Sequence, residues 1–417
     1  MCVPKSKTFS LARLIREHAS ALAAEYSLSE HHWKVLNALK DCRTGALGHV
    51  VMDCEHCGAR HTFPLSCGNR HCPQCTGPKR ESWRAKQCQD LLPVPYFHLV
   101  FTLPHVLNPL IRDNREVMYT LLFAKTIEIL QQFAEQTYGG RLGITAILHT
   151  WGQAMGDHYH LHLMIPGGVL RPSEKEGEAP TWVPAKKSRL FPVRQLALCF
   201  RGAFIKGVEK LYKEGKLEFH SREMKERVEP GAFQHLLRMA ARPKWNVFSE
   251  KSRVTPVGAL NYLARYSHRV AFDERRVSEL VREKESGEKC YALAYRDNRD
   301  GKNKSMDFTG VGLLKRFSLH ILPPGFVRVR HYGFLANGKR QERLEQARVS
   351  IEEQGLSEMA TPESKNTSLI TTQPCPKCQV HALRWVMTMC VTEEGRWVII
   401  TPATNEWRRR QESENTS

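Results

Sequence analysis

The run His158-Tyr159-His160-Leu161-His162-Leu163-Met164-Ile165 sets histidines at every second position through His162, with apolar side chains between and after them, and stops at Pro166-Gly167-Gly168. A half-buried strand has a period of two, so His160 and His162 project together from one face. Two imidazoles side by side on a rigid strand make a bidentate seat for a divalent metal ion. Upstream, residues 144–151 read as a second strand, and residues 152–157 supply turn residues between the two. A hairpin would bring His149 to the pair, giving three ligands and leaving metal positions open for substrate. Gln153 and His158 stand behind His149 as alternatives for the third ligand.

This pattern, His-hydrophobic-His with a further histidine eleven residues ahead, resembles the HUH endonuclease superfamily. The resemblance implies nicking of single-stranded DNA by a tyrosine nucleophile, carried downstream on a helix that can face the metal. Residues 255–269 meet that demand. Thr255 suits an N-cap and Pro256 the first helical position. Tyr262 and Tyr266, four apart, share one helical face. At roughly 100° per residue, Val257, Leu260 and Ala264 gather on the opposite side, so that the apolar stripe can dock on a sheet while both phenols look outward. Arg265 and Arg269 flank the phenols and could hold phosphates. A phenol with a pKa near 10 is a poor nucleophile, and a divalent ion (Mg2+ or Mn2+) on the histidines would polarise the scissile phosphate for it. Attack would leave a covalent 5′-phosphotyrosine and a free 3′-hydroxyl, and the covalent bond would store the energy for rejoining. No ATP is then needed, and the chain has no Walker-type phosphate loop, so no nucleotide cofactor is expected.

Cys54-Glu55-His56-Cys57 and Cys72-Pro73-Gln74-Cys75 are two CxxC knuckles separated by fourteen residues, a signature of a closed four-thiolate structural zinc site. Cys67 and His71 are alternative ligands, and Cys42 precedes them. The surrounding Arg60, Arg70, Lys79, Arg80 and Arg84 suit a second role in DNA contact. A third knuckle, Cys375-Pro376-Lys377-Cys378, could be completed by His381 and Cys390, though their spacing is not diagnostic.

Zinc knuckles, then the histidine motif, then a paired-tyrosine helix form an order similar to that of the insertion-sequence ninety-one family of bacterial rolling-circle transposases. The stretches that carry the resemblance include Ser66-Cys67-Gly68-Asn69-Arg70-His71-Cys72-Pro73, Tyr96-Phe97-His98-Leu99-Val100-Phe101-Thr102-Leu103-Pro104, His149-Thr150-Trp151-Gly152-Gln153, Tyr262-Leu263-Ala264-Arg265-Tyr266-Ser267-His268-Arg269-Val270, and Val327-Arg328-Val329-Arg330-His331-Tyr332-Gly333. Together they reach from about residue 36 to 337. The family implies a two-tyrosine mechanism with single-stranded intermediates at the element ends and target site. Its tyrosine pair falls on Tyr262 and Tyr266 and its paired histidines on His160 and His162. The chain departs from the family in lacking a Pro-rich stretch after Trp245 and in its degenerate C-terminal knuckle. A plasmid relaxase or replication initiator would share the chemistry, and a decayed, zinc-dependent DNA-binding protein would share the modules.

The elements that must position these groups imply an α+β fold. Residues 1–50 form a helical region, 51–92 the zinc-binding module, and 93–275 the HUH two-tyrosine catalytic domain, a central antiparallel sheet with helices on one face. Residues 276–350 form an α/β extension, and 351–417 a flexible tail with a lone knuckle. Residues 10–40 read as two helices broken near Ser27-Leu28-Ser29, 96–103 as a buried strand, 108–138 as one long helix, 171–188 as a polar loop or inserted arm, and 290–295 with 305–309 as a hairpin. A strand with Val327 and Val329 on one face would set Arg328 and Arg330 on the other as a track for the DNA backbone. The formal charge of +19 and pI near 9.5 suit a polyanionic partner. No run of eighteen apolar residues is present, so no membrane span is expected. The N-terminus lacks a signal-peptide core, and thirteen cysteines, several of them in knuckles, fit a reducing compartment. A bacterial cytoplasmic, nucleoid-associated protein follows.

Overall fold

The computed structural model describes residues 9–185, 189–252, 255–267, 270–280, 290–297, 300–357, 374–391 and 396–400, with only the backbone described at 78, 262–267, 391, 397 and 400. These divide into two compact units, one drawn from Met1–Lys79, Val270–Gly325 and Asn366–Ser417, the other from Arg80–Arg269 and Phe326–Lys365.

In the first unit the helices Leu11–Glu25 and Glu30–Lys40 form on either side of the expected break. Ser29 caps the second by accepting from the His32 N–H, with Glu30 in its first turn and Lys40 in its last, where each charge complements the helix dipole. A four-stranded antiparallel sheet runs in the order Trp397–Ile400, Leu383–Val391, Gly48–Cys54, Arg60–Pro64. A second sheet joins Val277–Leu280, Cys290–Arg296 and Asn303–Thr309, the last two being the hairpin read from the sequence. Thr309 then caps the helix Gly310–Ser318, which packs on Leu11–Glu25. Gly310 is required there, because a Cβ would run into the His18 ring.

The second unit is built on a five-stranded antiparallel sheet ordered Val329–Gly333, Gly143–Trp151, Asp157–Pro166, Tyr96–Thr102, Val247–Lys251. Its pleat sorts the side chains. Tyr159, Leu161 and Leu163 share one face with Ala146, Leu148, Phe97, Leu99 and Phe101. The helices Arg115–Tyr138 and Val193–Lys213 cover that face, through Tyr119 against Tyr159 and Phe200 against Phe101. The opposite face carries the histidines. Here the helix Pro256–Ser267 lies against the strands, with Ala259 and Leu260 buried among Tyr96, Ile147 and Met164 and with Val257 packed at the edge. Helix Arg340–Glu353 adds Leu344, Ala347 and Ile351 to the same cluster. Helices therefore lie on both faces rather than on the one expected, because the histidine face also carries an apolar patch for them to cover.

Two elements differ from expectation. The long helix divides at Asn114, whose φ of −129° and ψ of 43° leave the helical region. Its amide group bonds Leu110 O and, through both ends, the backbone of Glu218, so a tertiary contact overrides a continuous helical pattern. The stretch read as a polar loop contains the strand Thr181–Pro184, paired with Gly168–Arg171. Trp182, 1% exposed, anchors it while its backbone N–H donates to Ser350 Oγ.

Candidate metal centre and the helix beside it

His149, His160 and His162 come together on the outer-layer face of the five-stranded sheet, all buried, with their ligand nitrogens within 4.8 Å of one another. The register explains the meeting. His149 lies directly opposite His160, and Ile147 opposite His162, so the three rings occupy adjacent positions on one side of the pleat. The turn between the strands closes through Gly152 N–H to Gly156 O and Met155 N–H to Gly152 O.

The hydrogen bonds set the tautomers. His160 Nδ1 lies 2.8 Å from the His158 carbonyl, which can only accept, so Nδ1 carries the proton and Nε2 is bare. His160 Nε2 is 3.2 Å from His162 Nε2. Two bare nitrogens at that distance repel, and either a shared proton or a cation must lie between them. On its far side His162 Nδ1 is 3.0 Å from His98 Nε2, and the two rings stack at 5.3 Å and 8°. When His162 uses Nε2 as a ligand, its Nδ1–H donates to His98, the outer-shell arrangement that fixes ring orientation in metal-binding histidines. Burial pushes the His160 pKa down to about 3, helped by the neighbouring His158, and lowers His98 to about 4. Both rings are thus neutral at pH 7, the form that ligates metal. His149 stacks on Trp151 at 4.7 Å, which fixes its plane. His158, one of the two alternative third ligands, has its ring 4.7 Å from that of His160 and 5.4 Å from that of His105, and it is not among the residues whose ligand atoms converge.

His98, to which the sequence assigns no role beyond a buried strand, also lies against this cluster. Its only signal is parity, since His98 pairs with Met164 and so shares a face with His160 and His162. His331 also lies on this face, bonded to Thr145 Oγ1 at 3.0 Å.

The tyrosine helix lies on the same face as the histidines. Tyr262, Arg265 and Tyr266 belong to Pro256–Ser267, but their side chains lie outside the described residues, as does all of Arg269. Described neighbours show how the helix is held: Thr255 Oγ1 accepts from Gly258 N–H, and Arg84 reaches Asn261 Oδ1 at 3.3 Å. Arg330 does not join this surface. The pleat turns it to the other face, where its guanidinium lies over Phe123 and Phe326 at 4.4 and 4.8 Å. Arg328 lies 5.9 Å from the Trp151 ring.

In the other unit, the four cysteines expected to share one ion do not. Cys72 and Cys75 gather with Cys42 and Cys67, whereas Cys54 and Cys57 lie with Cys375 and Cys378. In the first group, Sγ atoms are 3.5 Å (Cys42–Cys72), 3.6 Å (Cys42–Cys75) and 3.7 Å (Cys67–Cys75) apart. Four sulfurs held at about 2.3 Å from one zinc lie roughly 3.8 Å apart at tetrahedral angles, so the thiols fit such an ion, and they are too far apart for disulfides. The expectation failed because spacing pairs the knuckles nearest in sequence, whereas the sheet pairs Gly48–Cys54 with Leu383–Val391 and carries the first knuckle to the C-terminal one. The C-terminal knuckle is therefore not lone, and neither His381 nor Cys390 belongs to its group.

Comparison with known proteins agrees with these two arrangements. Residues 14–103 match a family model described as "Transposase zinc-binding domain" (Zn_Tnp_IS91), and residues 143–343 match Y2_Tnp, described as "Putative transposase". The first match spans six of the eight clustered cysteines, and the second spans the three histidines and the tyrosine helix. The protein named "Putative transposase y4qJ" from Sinorhizobium fredii is 36% identical over 359 residues, covering 85% of this chain and 86% of its own length. "Transposase for insertion sequence element IS801" from Pseudomonas savastanoi pv. phaseolicola is 24% identical over 328 residues, covering 76% and 73%. No solved structure matches the chain significantly. With both domains matched in order and a relative of this identity aligned along most of both chains, the protein belongs to the insertion-sequence ninety-one (IS91) family of transposases.

Proposed function

We propose that this transposase cuts and rejoins single-stranded DNA at the ends of its insertion sequence, and at the target, through covalent 5′-phosphotyrosine intermediates on Tyr262 and Tyr266. The observation that carries the reading is the placement of three buried histidines and the paired-tyrosine helix on one face of one sheet.

Each tyrosine attacks a phosphorus, so that a phenol O–P bond forms as the P–O3′ bond breaks. The phenol proton is lost and the departing 3′ oxygen takes one up. Reversal by the 3′-hydroxyl of another strand rejoins DNA without a nucleotide cofactor. Two nucleophiles on one helix allow a second strand to be cut while the first adduct persists, which suits strand transfer and a rolling-circle-like movement better than simple nicking. His149, His160 and His162 would hold a divalent ion, with His98 orienting His162. Such an ion would supply Lewis-acid polarisation of the scissile phosphate. Three imidazoles form a nitrogen donor set, which ranks a transition ion such as Mn2+ above Mg2+ in affinity. Arg265 and Arg269, next to the phenols in sequence, would grip the flanking phosphates. Cys42, Cys67, Cys72 and Cys75 would hold a structural zinc. The charge of +19 supports DNA as the partner. A cytoplasmic, nucleoid-associated location would follow from that partner; among the described residues no helix is long and apolar enough to cross a membrane.

The test is a gel assay in which the purified chain meets labelled single strands from the DNA flanking its gene, with Mn2+, Mg2+ or EDTA. A metal-dependent, protease-sensitive adduct on the 5′ side of the cut is the expected result. Tight binding with no adduct on any flanking strand would overturn the reading.

A further inference from the structure

We propose that the chain carries a second four-thiolate zinc centre, built by Cys54 and Cys57 with Cys375 and Cys378, which clasps the C-terminal strands to the N-terminal module. The matched zinc-binding region ends at residue 103, so half of these ligands lie outside it. Cys54 and Cys378 Sγ atoms are 3.7 Å apart, as are those of Cys57 and Cys375, the separation that a tetrahedral zinc imposes and far beyond a disulfide bond.

The two knuckles are built alike. Gly58 N–H donates to Cys54 O at 2.8 Å, and Gln379 N–H donates to Cys375 O at 2.8 Å. Cys54 N–H donates to Ala59 O and Cys375 N–H to Val380 O, both at 2.9 Å. The residue after each CxxC is left-handed, Gly58 at φ 67° and Gln379 at φ 62°. Gln379 accepts a conformation that L residues avoid, which marks the turn as imposed by its surroundings. His61 Nε2 lies 3.2 Å from Cys375 Sγ.

Packing and pairing hold the two halves in place. Cys54 and Cys375 are buried with Leu383, and Met52, Phe63 and Ala382 close around them. Glu55 N–H donates to Ala382 O, and the strands Gly48–Cys54 and Leu383–Val391 pair from Gly48↔Cys390 to Cys54↔Leu383. Gly48, at φ 106°, admits that partner because it has no Cβ, which would strike the Met389 carbonyl. A cross-link between residues more than three hundred apart removes a large loop entropy from the unfolded chain, which is where such a clasp stabilises most.

Native mass spectrometry and metal analysis of the full chain, using His160→Ala/His162→Ala to remove the histidine site, test the proposal. Two zinc ions per chain are expected. Cys375→Ser/Cys378→Ser should lower the count from two to one, and Cys54→Ser/Cys57→Ser should do the same. With Co2+ in place of zinc, the thiolate charge-transfer absorbance should fall by about half in either variant. A single zinc in the parent chain, a count of two that survives the Cys375/Cys378 change, or iron in the site would overturn it. The parent count stands even where a variant folds poorly.

Discussion

The thiolate clusters and the histidine cluster show opposite uses of metal-type ligands. Each thiolate group supplies four anionic donors, enough to close a tetrahedral ion and exclude substrate. The histidine group supplies three neutral donors on a flat sheet face, which leaves coordination positions open on the side where the tyrosine helix lies. The thiolates are recruited from turns distant in sequence, whereas the histidines come from one hairpin. Closed sites join chain segments that would otherwise separate; the open site rests on strands that are already rigid. If the proposed roles hold, donor number and support, more than burial, would separate a structural centre from a reactive one, since both kinds of cluster are largely buried here.

The sharpest way to break the comparison is to remove both nucleophiles. Tyr262→Phe/Tyr266→Phe should abolish covalent adduct in the gel assay while leaving strand binding intact, and each single change should impair transposition. A double variant that still attaches to DNA would sink the tyrosine assignment. Next in size, His160→Ala and His162→Ala should each lose metal-dependent cleavage while thiolate-bound zinc, read by metal analysis, stays constant. A fall in that zinc would mean that the open and closed centres are linked. His98→Ala should weaken metal affinity at the histidine site by about 10–100-fold, the usual effect of losing an outer-shell partner. Titration of the chain with Mn2+ reads this directly, and unchanged affinity would remove His98 from the site. Smallest in its effect on chemistry, Leu260→Ala should cost about 3 kcal/mol of stability in denaturant unfolding, because it empties a fully buried position beneath the tyrosine helix. A cost near zero would mean that the helix is not anchored by its apolar stripe.

These predictions rest on features of unequal legibility. The histidine hairpin could be read because alternation is local: each strand's own pattern states which residues share a face, and a short turn leaves one way to pair. The docking residues Val257 and Leu260 could be read for the same reason, from helical spacing. His98 could not, because its role depends on which strand lies beside Asp157–Pro166 and in what register. Trp182 was hidden in a stretch rich in Pro, Glu and Lys, where one buried aromatic outweighs the composition around it. The alternation that sets Arg330 apart from Val329 is local and legible, but the rings of Phe123 and Phe326 beneath its guanidinium come from elsewhere in the fold.

By itself, then, the sequence determined the donors: which residues are soft thiolates, which are neutral imidazoles, how they are spaced along strand or knuckle, and that a basic chain with these modules acts on DNA. Tertiary structure alone decided the partnerships. Cys54 and Cys57 share a cluster with Cys375 and Cys378 because two strands far apart in the chain pair edge to edge. His98 stands behind His162 because of strand order in the central sheet. Local patterns are enforced by the backbone's own geometry, whereas distant partners are chosen by sheet pairing and burial, which no short window of residues contains.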